Sequence, residues 1–584
     1  MPSTNDKLPL PTGSDQVAPD CREMNFYRMD QSLHDLLGIY LDPALAKHLE
    51  PHFDRLGELA GGRLDELAEI ADKHPPVLHP RDRFGRDEDW IEYHPAYREM
   101  EKIAFGEFGL HAMSHRADVL GWPHPMPAIA KYAFQYLFVQ AEFGLMCPVS
   151  VSDTSIYVIN RYGSPQLKER LIPRMTSQDP GQLLKGTQFM TEKSGGSDVG
   201  SFETIARNEG GEWRLYGEKW FCSHADADIA LLLARPEGAG RGTRGLALFA
   251  MPRRLDDGSR NRYRIVRLKD KLGTKSMASG EIRLEGALAW IVGDARNGFK
   301  QMMDQVNLSR LSHGVRAAAM MRRCLNEALC VARTRNAFGK HLIEMPLVRR
   351  QLLKLMVPTE QALSMYAYAA HIMDRANRGE EGPQSVLRIL TPLFKFRACR
   401  DNIRVATGAM EMRGGNGYIE DWINARLVRD AHVGVLWEGT SNIASLDAIT
   451  RAVGKLNAHQ ALAASLRSML AGADGVSDSY RGQLGVIADR TVAFAEQVAT
   501  RGEEESIRLA ADALYNITCA VLMALEAARA NNGKRLLLSK MIVEHRLSPQ
   551  DPIAPVDHRF DRAATTLLLD ERAVTLAQAT ALVG

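Results

Sequence analysis

Apolar residues recur at three- and four-residue spacing from about Asp30 to about Pro180, as in Leu33, Leu36 and Leu37 and across Ala130 to Gly144. That spacing predicts amphipathic helices. The proline-rich stretch Lys73 to Arg83 interrupts them. Between about Leu184 and Gly293 the period changes toward two. Trp213-Arg214-Leu215-Tyr216, Ile229 to Ala234 and Leu246 to Met251 read as short strands, separated by turn signals such as Asn208-Glu209-Gly210-Gly211. A compact β-domain is expected there.

Helical spacing returns from Gly298 to about Val453, in Leu347, Leu352, Leu355 and Met356 and then Leu363, Tyr366 and Ala370. Pro358 is expected to open or kink one of these helices. Beyond Arg451 no proline occurs before Pro549, and the stretch is rich in Ala and Leu, which favours further helices. The pattern divides the chain into a flexible N-terminus over 1–24, a helical domain over 25–183, a β-domain over 184–293, a helical bundle over 294–453 and an additional helical domain over 454–584. No short-period repeat marks a solenoid.

The chain has 584 residues, 45% hydrophobic and 25% charged, enough to build a large core divided among several domains. Its formal charge of +2 leaves no overall electrostatic footprint for nucleic acid or an anionic membrane. The seven cysteines are scattered, with no C-x-x-C pair, so neither a disulfide framework nor a zinc site is indicated. Met1 to Asp20 lacks the apolar core of a secretory signal, and no run of 18 uncharged apolar residues predicts a spanning helix. The expected location is the cytoplasm.

Two segments nearly 250 residues apart carry the candidate chemistry: Met190-Thr191-Glu192-Lys193-Ser194-Gly195-Gly196-Ser197-Asp198 and Leu436-Trp437-Glu438-Gly439-Thr440-Ser441-Asn442. In the first, adjacent glycines let backbone N–H groups approach a planar ligand closely, and Thr191 and Ser197 add hydroxyls. Read alone it is a turn between strands, as Glu438 alone is an ordinary helix-start carboxylate. No Lys-Ser/Thr follows the glycines, which argues against a triphosphate loop, and no G-x-G-x-x-G opens a nicotinamide-binding unit.

Three further segments lie between these: Gly217-Glu218-Lys219-Trp220-Phe221-Cys222-Ser223, Arg333-Thr334-Arg335-Asn336-Ala337-Phe338-Gly339 and Met412-Arg413-Gly414-Gly415-Asn416-Gly417-Tyr418. The set, in this order, resembles the acyl-CoA dehydrogenase superfamily. The long N-terminal lead-in with Trp90-Ile91-Glu92-Tyr93-His94-Pro95, and the C-terminal extension, resemble its AidB-type, alkylation-response branch. The resemblance implies a mostly α fold with a central β-domain: helical domain, β-domain and helical bundle, plus an extra C-terminal helical domain.

It also implies roles. Met190, Thr191, Gly196 and Ser197 would cradle FAD, Phe221 would pack on the isoalloxazine, and Ser223, in place of the more common Thr, would reach its N5 edge. Arg335 and Phe338, with Glu411, Gly414 and Gly415, would meet FAD bound mainly by a neighbouring subunit, a guanidinium suiting the pyrophosphate. Thr440 and Asn442 complete the cofactor set. The chain departs from the family at Ala337, where a hydroxyl is usual, and at Pro346, often Gln.

Glu438 is the implied base. Removing an α-proton from a thioester needs a carboxylate in a water-poor pocket, where desolvation raises its pKa. Some relatives carry the base on the helix that here reads Val306-Asn307-Leu308-Ser309-Arg310, and none of these is a carboxylate. Ser197, Asn307, Arg310, Trp437 and Gly439 are the implied substrate contacts. Trp437 stands where a smaller aromatic is usual and would shape the acyl pocket, beside Cys147-Pro148-Val149-Ser150.

The leading expectation is an FAD-dependent acyl-CoA dehydrogenase that forms an α,β-double bond in a medium- to long-chain acyl-CoA. Electron-transfer flavoprotein would be its acceptor, and a dimer or tetramer its working unit. An oxidase would differ in letting oxygen reach reduced flavin; an acyl-CoA-sequestering regulator would bind without turning over. A DNA-associated alkylation-response role would need clustered basic residues in the C-terminal domain. Residues 451–584 hold 15 Lys/Arg against 15 Asp/Glu, so only a local patch such as Lys534, Arg535, Lys540 and Arg546 would serve.

Overall fold

The protein is described here from a computed structural model covering residues 17–548, 553 and 558–584. Asp30 accepts a hydrogen bond from Leu33 N and caps Gln31–Tyr40; Asp42 does the same for Pro43–Gly61, whose proline sits where its missing N–H costs nothing. Pro43–Gly61 buries its apolar face against Ala128–Val139, a helix buried all round, while Gln31–Tyr40 packs on Pro346–Asn377 and Ile507–Ala530, and Arg63–Lys73 on Pro43–Gly61 and Pro95–Glu101.

Two expectations for this region change. The proline-rich stretch is an antiparallel hairpin of Val77–Arg81 with Asp87–Glu92, turned at Gly85, where φ is 76°. Alternation in Asp89, Trp90 and Ile91, buried, exposed and buried, is the strand signal behind it. Residues 17–24 were expected in a flexible leader, and instead they pack: Cys21 is buried with its N–H on Glu327, and Arg413 donates to the carbonyls of Ala18 and Pro19. Residues 1–16 lie outside the described residues.

The β-domain has seven strands. Ile205–Glu209, Glu212–Ser223, Ser279–Ile291, Ala247–Pro252 and Ile229–Pro236 pair in that order, and the last pairs back with the first, so the ladder closes on itself. Gly186–Phe189 adds to Ile229–Pro236 in parallel, and Tyr263–Leu268 to Ser279–Ile291. Closure leaves few free edges and holds the loops at one end in fixed positions.

Gly298–Thr334, Pro346–Asn377 and Pro383–Arg413 form the bundle. Pro358 opens no helix: it lies inside Pro346–Asn377, buried, and the helix runs through it. The surrounding packing holds a helix that propensity alone would break.

Among the described residues six more α-helices follow, Ala458–Ala471, Asp478–Arg501, Ile507–Ala530, Gly533–Ile542, Arg559–Leu569 and Leu576–Val583. The stretch Glu504–Ala530 is long and apolar enough to cross a membrane, although no such segment was expected. Of its most apolar window 83% is buried inside the fold, as in a core helix. Its Glu526 pairs with Arg535 at 3.3 Å, and Arg535 also reaches Ser364 of the bundle. Arg535 is therefore buried and paired, and Lys534 donates to the Asp570 carbonyl, so the four basic residues considered above form no common surface patch.

Candidate active site

Gly186–Phe189 delivers the chain into the Met190–Ser197 loop. Glu192 turns inward from that loop and meets the buried Lys219 ammonium at 2.7 Å, while accepting from Thr204 Oγ1 and the N–H of Glu203, both at 2.6 Å. The loop is thus anchored from below by charge, and Trp220 N–H bonds to the Thr191 carbonyl at 2.8 Å from the side. Gly195 has φ 120°, and a Cβ on Gly196 would stand 2.9 Å from Thr191 Oγ1. The backbone path requires glycine at Gly195, and the Thr191 side chain leaves no room for a Cβ at Gly196.

Beyond the loop lies a cavity of about 1190 Å³ between the β-domain and the bundle. Met190, Thr191, Gly196, Ser197, Phe221, Ser223, Arg310, Trp437, Glu438, Gly439 and Thr440 all line it. Phe221 is 56% exposed at its rim, beside Trp220, and the Lys269 ammonium sits 3.4 Å from the Trp220 ring centre. Cys147, Val151 and Trp437 form another part of the wall, an apolar corner, with Met277 packed against them.

Glu438 follows a 3-10 turn, His432–Val435, and precedes the helix Ser441–Leu446. Its φ of 55° lies in the left-handed region, costly for a residue with a side chain. The conformation is held from two helices: Arg310 Nε donates to the Glu438 carbonyl at 3.0 Å, and Lys395 Nζ donates to the Gly439 carbonyl. Glu438 Oε1 accepts from Gln188 Nε2 at 2.6 Å and Ser309 Oγ at 3.0 Å. Burial pushes its carboxyl above the usual range, and the Ser309 hydroxyl with Arg310, Arg316 and Lys395 restrains the rise.

Other expected contacts fall elsewhere. Arg310 borders the cavity, with its Nη1 on Asp447 at 2.7 Å and on Asn307 at 3.2 Å, whereas Asn307 does not line it. Arg335, Phe338, Glu411, Gly414, Gly415 and Asn442 do not line the cavity. Arg335 and Gly414 meet on the outer surface, where a Cβ on Gly414 would stand 3.3 Å from the guanidinium, and Phe338 projects with 96% exposure.

Gln188, Lys395, Asp447 and Lys271 were not singled out from the sequence. Lys271 lines the cavity, and burial pushes its ammonium down to about 8. Gln188 stood two residues before a noted motif, yet nothing in its type signalled a bond to a carboxylate 250 positions away.

A closed β-domain with a glycine loop, packed on a helical bundle that presents a desolvated carboxylate to the shared cavity, is the architecture of a flavin-dependent thioester dehydrogenase. Residues 187–287 match the acyl-CoA dehydrogenase middle domain, 296–454 its C-terminal domain, and 16–180 the N-terminal domain of the adaptive response protein AidB. The chain belongs to the acyl-CoA dehydrogenase family. It is 30% identical to acyl-CoA dehydrogenase family member 11 of Caenorhabditis elegans, over 76% of this chain and 73% of that one. It is 33% identical to the putative acyl-CoA dehydrogenase AidB of Escherichia coli, over 66% and 70% respectively. The crystal structure of C. elegans ACDH-11 in complex with C11-CoA superposes with a TM-score of 0.82 at 26% identity, covering 93% of this chain and 94% of that one. The protein is accordingly an FAD-dependent oxidoreductase of the acyl-CoA dehydrogenase type.

Proposed function

We propose that the enzyme forms an α,β-double bond in a medium- to long-chain acyl-CoA, with Glu438 as the base that removes the α-proton. The observation that carries this reading is the Glu438 carboxyl itself: it faces the cavity, desolvated, with its strained backbone pinned by Arg310 and Lys395. Desolvation makes a carboxylate a stronger base, and a fixed backbone holds it within reach of one carbon of the substrate. Gln188 and Ser309 orient it through Oε1.

The residues present fit FAD. The Gly195-Gly196 turn lets a planar ligand approach the backbone, Thr191, Ser197 and Ser223 offer hydroxyls on the cavity wall, and Phe221 presents a ring at the rim. When bound there, FAD supplies the acceptor for the β-hydride. Arg335, Phe338, Glu411, Gly414 and Gly415, gathered away from the cavity, suit the FAD of a second subunit, with Thr440 and Asn442 flanking the base; this supports a homo-oligomer with shared sites. Electron-transfer flavoprotein is the proposed acceptor. Trp437 and the apolar corner at Cys147, Val151 and Met277 suit a hydrocarbon chain, and the complex of the C. elegans relative with C11-CoA supports the length class.

The test is anaerobic absorbance titration of the purified protein with short, medium and long acyl-CoAs, alongside Glu438→Gln. Bleaching of the flavin band by one length class, lost in the variant, is expected. A flavin band that no acyl-CoA bleaches would overturn the reading.

A further inference from the structure

Four buried arginines lie on the helix Gly298–Thr334. Three are matched to carboxylates: Arg310 to Asp447 at 2.7 Å, Arg322 to Glu360 at 2.5 Å and Arg323 to Asp65 at 3.2 Å. The fourth, Arg316, forms no ion pair among the described residues; its Nε and Nη1 meet no hydrogen-bonding oxygen or nitrogen, and its side-chain partners are the neutral His313 and the Cys147 thiol. It is fully buried. A charge taken from water without an opposite charge is strongly unfavourable, so a buried guanidinium left this way calls for an explanation.

Its position supplies one. Ser309, His313 and Arg316 follow one another at spacings of four and three and share a helix face. Ser309 bonds to the Glu438 carboxylate. His313 lines the cavity edge-on to Trp437, ring centres 5.5 Å apart, and Arg316 Nη2 lies 3.1 Å from His313 Nδ1. The guanidinium sits 5.5 Å from the centre of Phe143, whose ring stacks on Trp437 at 6.5 Å. Arg316 is therefore directly behind the layer that carries Trp437 and Glu438.

The neighbours do not neutralise it. Burial raises the thiols of Cys147 and Cys399 and the phenol of Tyr132, so all three are uncharged near neutral pH, and burial holds His313 neutral. Glu438 is a carboxylate within its field. Two other cations face Glu438: Arg310, whose charge is matched by Asp447 while its Nε holds the Glu438 carbonyl, and Lys395, which bonds the neutral Gly439 carbonyl and adds its charge to that of Arg316. Lys271, from the loop before Ser279–Ile291, donates to the Met277 carbonyl and to Ser279 Oγ.

We propose that Arg316 is a positioning residue for the reaction, its unmatched charge acting across the His313 and Trp437 layer to keep Glu438 ionised in the desolvated cavity. The inference rests on Glu438 being the base. A carboxyl in such a cavity would otherwise hold its proton at neutral pH and take none from substrate.

The test uses the FAD-loaded enzyme with Arg316→Met, Arg316→Gln and Arg316→Lys. Two readouts are followed against pH: kcat/KM with a medium-chain acyl-CoA, and the infrared carboxyl band of Glu438, identified by its loss in Glu438→Gln. In the two neutral variants the acid limb and the infrared midpoint should both rise by at least about one pH unit, the shift one unit charge produces out to roughly 12 Å at an effective dielectric near 20. Arg316→Lys should stay with the wild type. A neutral variant that folds, loses kcat/KM evenly across pH and leaves the infrared midpoint unmoved would overturn the proposal. The infrared titration needs no turnover, so failure of every acyl-CoA to reduce the flavin would remove the proposed reaction while the charge coupling was still decided.

Discussion

Lys219→Met removes the ammonium that anchors the Met190–Ser197 loop and leaves Glu192 buried without its charge partner. The pair is separated by 2.7 Å with side-chain exposures of 0% and 6%, and Lys219 also donates to the Leu233 carbonyl at 3.0 Å. Breaking a buried pair from one side costs about 3–5 kcal/mol, because the remaining charge keeps its desolvation penalty. Urea unfolding should show that loss. FAD affinity should fall with it, since Glu192 fixes the loop that carries Thr191 and Gly196. The double variant Glu192→Gln/Lys219→Met, which keeps the acceptor for Thr204 and Glu203, should recover most of the stability. Burial pushes the Glu192 carboxyl up, but Lys219 and the Thr204 hydroxyl hold it below its usual range overall. A carboxyl depressed in the folded state adds stability above its unfolded pKa and loses it as pH falls through the folded value. The acid limb of wild-type stability should therefore be shallower in Glu192→Gln. A Lys219→Met protein within about 1 kcal/mol of wild type, with unchanged FAD affinity, would refute the anchoring argument.

Gly196→Ala should weaken FAD binding by about tenfold, because its Cβ would meet Thr191 Oγ1 at 2.9 Å, and Thr191→Ala should partly relieve it; cofactor titration by flavin fluorescence reads both. Asp430 accepts from Thr274 N–H at 2.6 Å, and burial, reinforced by Asp72 and Glu142, pushes its carboxyl up to about 7. A carboxyl raised in the folded state contributes stability below its unfolded pKa and loses it as pH rises through the folded value. Thermal unfolding should accordingly show stability falling between pH 4 and 7 from this group, approximately its usual and raised values, and Asp430→Asn should flatten that fall while keeping the Thr274 bond.

Local pattern carried much of the architecture. Spacing of three and four along Leu33, Leu36 and Leu37, and period two along Trp213 to Tyr216, reflect which side chains must leave water, and burial follows that rule wherever an element has one wet face. The hairpin Val77–Arg81 with Asp87–Glu92 escaped because it is mostly exposed and its prolines dominate the signal. Pro358 opens no helix because packing on both sides outweighs a missing N–H, and only the neighbouring helices reveal that packing.

The chemistry divides in the same way. That Glu438 and the Gly195-Gly196 turn meet at one cavity was legible through the order of the motifs and the family they resemble, since each segment alone reads as an ordinary turn or helix start. The tertiary structure alone joined Glu438 to Gln188, Ser309 and Lys395, and separated Arg335, Phe338 and Gly414 from the cavity. It also distinguished Arg316 from Arg310, Arg322 and Arg323, four identical side chains on one helix. Their difference is which of them has a carboxylate opposite, and an electrostatic partner contributed by a distant segment leaves no trace in local sequence.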